Sequence, residues 1–251
     1  MDPPSGMRRL SKASIDLVVA DLVTDPALRT GGDSPRKRTR ANRFDPTPYL
    51  EESQRVLKLF NGFFFTQKPQ LPAYIAFAQK NGYAWDLLVW EHTHTRHDMA
   101  PNCDFIVAIW ERGTFFNVDF KRQFFQKVKH YSPLPAARRG NYQGDKPYKL
   151  VEELILQRTR PGDIVLDPLA GTGVVPLVCA NTDRHFIAFE PNPKLYELAR
   201  KALEVPSLQT AAGDSHVQLQ IDYAKRPNTA ELNHQRVLVE PEASPSEHIE
   251  A

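Results

Sequence analysis

The stretch Asp167-Pro-Leu-Ala-Gly-Thr-Gly173 constrains the fold more than any other part of this chain. It follows the apolar run Asp163-Ile-Val-Leu166, which reads as a buried strand, and opens Val174-Val-Pro-Leu-Val-Cys-Ala180, which reads as a helix. A strand that ends in a glycine-bearing turn and feeds a helix brings bare backbone N–H groups close to a ligand. About twenty residues on, the apolar strand Phe186-Ile-Ala-Phe189 ends in Glu190, and an acid there can accept both hydroxyls of a ribose. Strand, turn, helix, strand and acid in this order predict a nucleoside-cofactor pocket. Glu190 taken by itself also suits an ordinary strand-end acid.

The rest of the chain is consistent with such a domain. Its 251 residues suffice for one α/β unit with a substantial core, and 41% hydrophobic with 25% charged residues describe a soluble globular protein. No apolar run is long enough to span a bilayer, and Met-Asp-Pro-Pro-Ser-Gly-Met-Arg-Arg lacks the apolar core of a secretory signal. Cys103 and Cys179 lie far apart beside apolar runs, which points to buried thiols in a reducing cytoplasm and to no metal site.

Charge is unevenly distributed. From Glu204 to the end there are eight acids against three Lys/Arg, a net of −5, so with +2 overall residues 1–203 carry about +7. That charge concentrates in two segments. One holds Arg36, Lys37, Arg38 and Arg40; the other, from Arg112 to Lys149, holds Lys121, Arg122, Lys127, Lys129, Arg138 and Arg139. Basic residues interleaved with Phe, Tyr, Asn and Gln suit a polyanion that is also contacted through its bases. Solvated loops without a partner are the plainer alternative for either segment alone.

Along the chain, Ile15–Ala20 reads as a short strand, 24–46 as a loop, Pro48–Leu59 as a helix, Gly62–Thr66 as a strand and Pro69–Lys80 as a helix. Trp85–Trp90 and Phe105–Trp110 read as further strands, Pro147–Arg158 as a helix, His185–Glu190 as a strand and Pro193–Leu203 as a helix. Strands alternating with helices, several apolar throughout, predict an α/β, doubly wound, mostly parallel Rossmann-like sheet with helices on both faces. After Val205 apolar residues thin out, and the acidic tail 204–251 is expected to be disordered for much of its length.

In this order the pieces resemble the DNA amino-methyltransferases, which move a methyl group from S-adenosylmethionine to the exocyclic amine of adenine or cytosine. "GDKPYKLVEELILQRTRPGDIVLDPLAGTG" is similar to that family's lysine-proline helix and cofactor-binding turn, and "RHFIAFEPNPKLYELARKAL" to its ribose-binding strand and helix. "FDPTPYLEESQRVLKLFNGFFF", "GYAWDLLVWEHT" and "DFIVAIWERG" resemble elements of its catalytic half, so the arrangement looks like the permuted class with that half first. The resemblance implies a catalytic half at about 10–111, a target-recognition segment at about 112–144 and a cofactor half at about 145–203. It implies that Asp167, Pro168, Gly171, Thr172 and Gly173 hold the methionine end of S-adenosylmethionine, that Glu190 binds the ribose, and that Lys146-Pro147 sets the helix closing over the methionine end. Within the recognition segment, cations would contact phosphates of double-stranded DNA while Asn141, Tyr142 and Gln143 reach base edges. Leu169 stands where the family usually has an aromatic residue.

One expected motif is degraded. The family holds a flipped base with Asp/Asn/Ser-Pro-Pro-aromatic at the end of the first strand here; the prolines stiffen the turn and the ring stacks on the base. This chain reads Asp21-Leu-Val-Thr24, or in a second registration Asp25-Pro-Ala-Leu28. Either way one acid survives, Asp21 or Asp25, while the second proline and the ring do not. A lost stacking ring alone weakens base binding by about 1–3 kcal/mol, which predicts slow or absent turnover unless a residue elsewhere, such as Phe44 or Tyr49, supplies the ring. The leading expectation is therefore a weakened DNA amino-methyltransferase, and the second a catalytically inactive member that binds S-adenosylmethionine and DNA. A nicotinamide-dependent enzyme fits less well, because Pro176 stands where Gly-x-Gly-x-x-Gly needs its third glycine. An RNA or protein methyl acceptor is a minor further alternative.

Overall fold

The computed structural model describes residues 5–22, 44–91, 103–118, 126–131, 146–204 and 237–239. In chain order the elements are α1 (Ser5–Arg8), β1 (Leu17–Asp21), α2 (Thr47–Val56), β2 (Asn61–Thr66), a short 3₁₀ turn (Lys68–Gln70), α3 (Leu71–Lys80), β3 (Ala84–Glu91), β4 (Cys103–Trp110), β5 (Val128–His130), α4 (Tyr148–Arg158), β6 (Ile164–Asp167), α5 (Val174–Asn181), β7 (His185–Phe189), α6 (Pro193–Glu204) and β8 (Val237–Val239). The strands form one sheet in the order β5-β3-β4-β2-β1-β6-β7-β8. Among the described strands only β4 runs against its neighbours, and the other pairings are parallel.

The period-2 geometry of a strand explains why the central segments are apolar throughout. Leu17 and Val19 of β1, with Phe63 and Phe65 of β2, face a core closed by Leu150, Val151, Leu154 and Ile155 of α4 and Val175 and Val178 of α5. Val18, Ala20 and Phe64 face the opposite core, closed by Met7, Tyr49, Leu50 and Val56 from α1 and α2 and by Tyr74, Phe77 and Ala78 from α3. Both faces are covered, so neither can be polar.

Local chemistry places the helix ends. Asp45 accepts the Thr47 N–H at 2.9 Å and Pro48 sits in the first turn, so Asp45-Pro-Thr-Pro starts α2 as such residues commonly do. At the other extreme, the last four carbonyls of α4 all find donors. Thr159 Oγ1 donates to Ile155 (2.6 Å), Asn117 Nδ2 to Leu156 (3.4 Å), Asn117 N–H to Gln157 (3.0 Å) and Asn61 Nδ2 to Arg158 (3.3 Å). The loop after β4 is thereby clamped onto α4.

The structure adds elements that the sequence reading lacked. Val128–His130, expected within an irregular recognition segment, pairs parallel with β3 and belongs to the sheet. Val237–Val239, expected within the tail, pairs parallel with β7. Ile15 makes only an isolated bridge to Leu57, so β1 starts at Leu17. Cys179 is buried in α5, whereas Cys103 is half-buried at the start of β4.

Candidate active site at the switch point of the sheet

Chain order along the sheet reverses between β1 and β6: β2 lies to one side of β1, and β7 lies on the far side of β6. In open α/β sheets the crevice beyond the carboxyl ends of the strands at such a reversal is where ligands bind. Here β1 ends in Asp21 and β6 ends in Asp167, so the crevice has an acid on each wall.

The cofactor-side wall is built by the turn. Asp167 is buried and accepts the Leu169 N–H at 3.1 Å. Gly171 (φ +59°) and Gly173 (φ +88°) both take the left-handed conformation that side chains resist. Gly173 has a second reason to be glycine, since a Cβ would stand 2.8 Å from Ala199 Cβ and 3.0 Å from Ala199 Cα on α6. Thr172 lies between the two, half-buried at the opening of α5. Beyond the tip of β7, Glu190 is 2% exposed. Its Oε2 accepts the Gly171 N–H at 2.7 Å and its Oε1 accepts the Asn192 N–H at 2.8 Å. Each carboxylate oxygen has a second lone pair, so Glu190 can brace the turn and still accept from a diol. Asn192, absent from the sequence reading, accepts the N–H groups of Lys194 (2.9 Å) and Leu195 (3.4 Å) and so caps α6. Asparagine just before a proline-led helix is a recognisable cap signal.

On the opposite wall, Asp21 and Lys146 meet although 125 positions separate them: Lys146 Nζ lies 3.0 Å from Asp21 Oδ2. The ammonium also lies 5.2 Å from the Phe65 ring and 6.0 Å from the Trp90 ring. Pro147 caps α4 directly after it, so Lys146-Pro147 fixes both the start of α4 and the partner of the candidate catalytic acid. Tyr74 of α3 is fully buried nearby; burial first, and then the charges of Asp21 and Asp45, hold its phenol protonated well above the ordinary range. Neither proposed substitute ring is available. Phe44 (7% exposed) and Tyr49 (2% exposed) pack on each other at 5.7 Å inside the core, where no base can reach them.

The expected cations separate into different groups. Lys127 is exposed and pairs with Asp86 at 2.9 Å. Lys129 corrects the expectation of a phosphate contact: it is 3% exposed and ion-paired with the buried Glu153, which also accepts from the Tyr131 hydroxyl. Alternation along β5 points this lysine inward while its neighbours face out. Asp25, Arg36, Lys37, Arg38, Arg40, Lys121, Arg122, Arg138 and Arg139, with Asn141, Tyr142 and Gln143, lie outside the described residues. Among the described residues no His/Cys/Asp/Glu group could hold a metal, and no helix is long and apolar enough to cross a membrane.

A doubly wound sheet with this turn, strand-end acid and lysine-proline helix defines a Rossmann-like methyltransferase fold. The model of the N6/N4 DNA methylase family matches residues 47–201, and the chain belongs to that family. The type II methyltransferase M.HpaI of Haemophilus parainfluenzae is 25% identical over 227 residues, 79% of this chain and 71% of that protein. M.Cfr9I of Citrobacter freundii is 41% identical over 58 residues, which span 23% of this chain and only 19% of that relative. Among solved structures, M1.HpyAVI in complex with SAM superposes with a TM-score of 0.60 at 19% identity, covering 80% of this chain and 92% of that one. At that identity the likeness is one of fold.

Proposed function

We propose that this chain transfers a methyl group from S-adenosylmethionine to an exocyclic amine of adenine or cytosine in double-stranded DNA. The observation that carries the reading is the convergence of Asp21 and the Asp167–Gly173 turn at the switch point, with Lys146 held on Asp21. The residues present fit the cofactor: Glu190 offers lone pairs for a ribose, and the left-handed glycines bare the backbone beside the methionine end. When bound there, S-adenosylmethionine supplies an electrophilic methyl group.

The work left to the chain is positional, and positioning can supply several kcal/mol of a barrier. Asp21 is the candidate acceptor of an N–H from the target amine, which turns the nitrogen lone pair toward the methyl carbon. With the cofactor in place, Asp21 would hold the amine in line with the methyl group while the amine proton leaves to solvent. Asp25 is the alternative acid in the second registration. Phosphate contacts fall to Arg36, Lys37, Arg38, Arg40, Lys121, Arg122, Lys127, Arg138 and Arg139, with Lys129 removed from that set.

The test measures cofactor binding by calorimetry and labelled-methyl transfer to mixed-sequence duplex DNA on one preparation, beside Asp21→Ala. The expected result is binding with slow transfer that Asp21→Ala abolishes. Binding without transfer would select the second reading, an inactive member that binds cofactor and DNA; the missing Pro-Pro-aromatic and the burial of Phe44 and Tyr49 favour it. A preparation that binds no cofactor would overturn both.

A further inference from the structure

At the end of the sheet opposite the switch point, Arg158 closes α4 and is 5% exposed. Its guanidinium carbon lies 4.5 Å from the ring centre of Trp110, 4.7 Å from Phe116 and 5.7 Å from Phe63. Its Nε is buried and has no hydrogen-bond partner among the described residues, and no described carboxylate pairs with it. Burial alone pulls its pKa down from 12.5 to about 10. The last carbonyls of α4 are taken up by Thr159, Asn117 and Asn61 rather than by this guanidinium.

A desolvated cation with no anion among the described residues is an expensive arrangement, and ring contacts offset only part of it. The surroundings are nevertheless built rather than loose. Phe115 and Phe116 each carry a guanidinium, with Arg160 3.9 Å from Phe115, and Asn117 ties their loop to α4. Phe116 is 39% exposed and Arg160 is exposed, so the cage has an open rim with a second positive charge on it.

We propose that Arg158 anchors a second ligand site, one that takes a carboxylate. With aromatic rings against the cation, a ligand reaches it through its N–H edge, and a planar guanidinium matches a planar carboxylate there through two parallel hydrogen bonds. Arg160 at the rim adds attraction for the same charge. The site lies at the other end of the strands from Asp21 and Glu190, so it is independent of methyl transfer. Its carboxylate comes either from a small free acid or from an acidic side chain of a protein.

The experiment follows the Arg158 Nε–H resonance of the full chain by NMR in chloride buffer, titrating sodium acetate, sodium phosphate and a short capped oligoglutamate peptide. Thermal unfolding of wild type, Arg158→Met and Phe116→Ala is recorded with and without acetate. Acetate should shift the Arg158 signal saturably and raise the wild-type Tm, with no Tm gain in Arg158→Met and a weakened signal shift in Phe116→Ala. A peptide that saturates at lower concentration than acetate identifies a protein-borne carboxylate; acetate alone identifies a free acid. An unmoved Arg158 signal overturns the proposal, as does an equal Tm gain in wild type and Arg158→Met. A response to phosphate but not acetate overturns the planar site. If Arg158→Met does not fold, the signal and Phe116→Ala decide alone.

Discussion

Gly173 joins two constraints in one position, a left-handed backbone and contact with Ala199. Gly173→Ala should therefore lower stability by about 1–3 kcal/mol from backbone strain, with further loss from the clash, and weaken cofactor binding. Gly82→Ala provides the comparison: φ is +69° there, but nothing lies within 4 Å of the added Cβ. Urea unfolding of both variants separates strain from clash, and equal losses would show that the Ala199 contact is unimportant. Glu190→Gln tests the neighbouring group. An amide nitrogen must then face the N–H of Gly171 or Asn192, so stability should fall by about 1–3 kcal/mol, and calorimetry should show weaker S-adenosylmethionine binding. Unchanged affinity would remove Glu190 from the ribose role. Residue-scale features of the turn were legible because they are local: strand, glycines and acid all fall within one stretch of chain. The Asp21–Lys146 pair was not, since no periodicity connects residues so far apart, and Arg158 carries no local mark at all.

Elements meet most consequentially where β5 packs on α4. Lys129 and Glu153 are both 3% exposed at their side chains, and Tyr131 donates to the same carboxylate. Removing one charge strands the other, so Lys129→Met should cost about 3–5 kcal/mol. The pair Lys129→Met with Glu153→Leu should recover most of that, and a double-mutant cycle by denaturant unfolding checks it. A cycle with no coupling would mean the two charges are separately solvated. This strand also explains where sequence reading faltered at the scale of elements. Three residues give too short an alternation to announce a strand, so in sequence β5 looks like part of a basic segment and β8 like part of an acidic tail. The long apolar strands and the proline-led helices were read correctly to within a few residues, because burial on both faces leaves them no polar alternation to disguise.

For the molecule as a whole, alkaline stability is set by one buried phenol, Tyr74, and two half-buried ones. Tyr74, Tyr131 and Tyr148 are raised from the ordinary value of 10.0, each chiefly by burial. The folded chain therefore keeps protons that the unfolded chain gives up, so this contribution is complete below pH 10 and is lost as pH climbs above it. Urea midpoints should fall from about pH 9 to about pH 11, and Tyr74→Phe should flatten that fall. Arg158, pulled down to about 10, works in the opposite direction, which makes the tyrosine variant the cleaner comparison. A midpoint that holds steady across this range would contradict the shielding of these phenols from water.

Among the described residues both margins of the sheet are formed by strands of three residues, β5 on one side and β8 on the other. A short margin presents few unpaired backbone groups, which is how natural sheets avoid recruiting a neighbour's strand. The reach of β8 back to β7 thus gives the acidic region a protective duty unconnected with catalysis. Cut at Glu204, the chain would bare the edge of His185–Phe189, an apolar strand with donors and acceptors open along its length. Such a truncated chain should bind cofactor at first and then self-associate, a course that light scattering would follow.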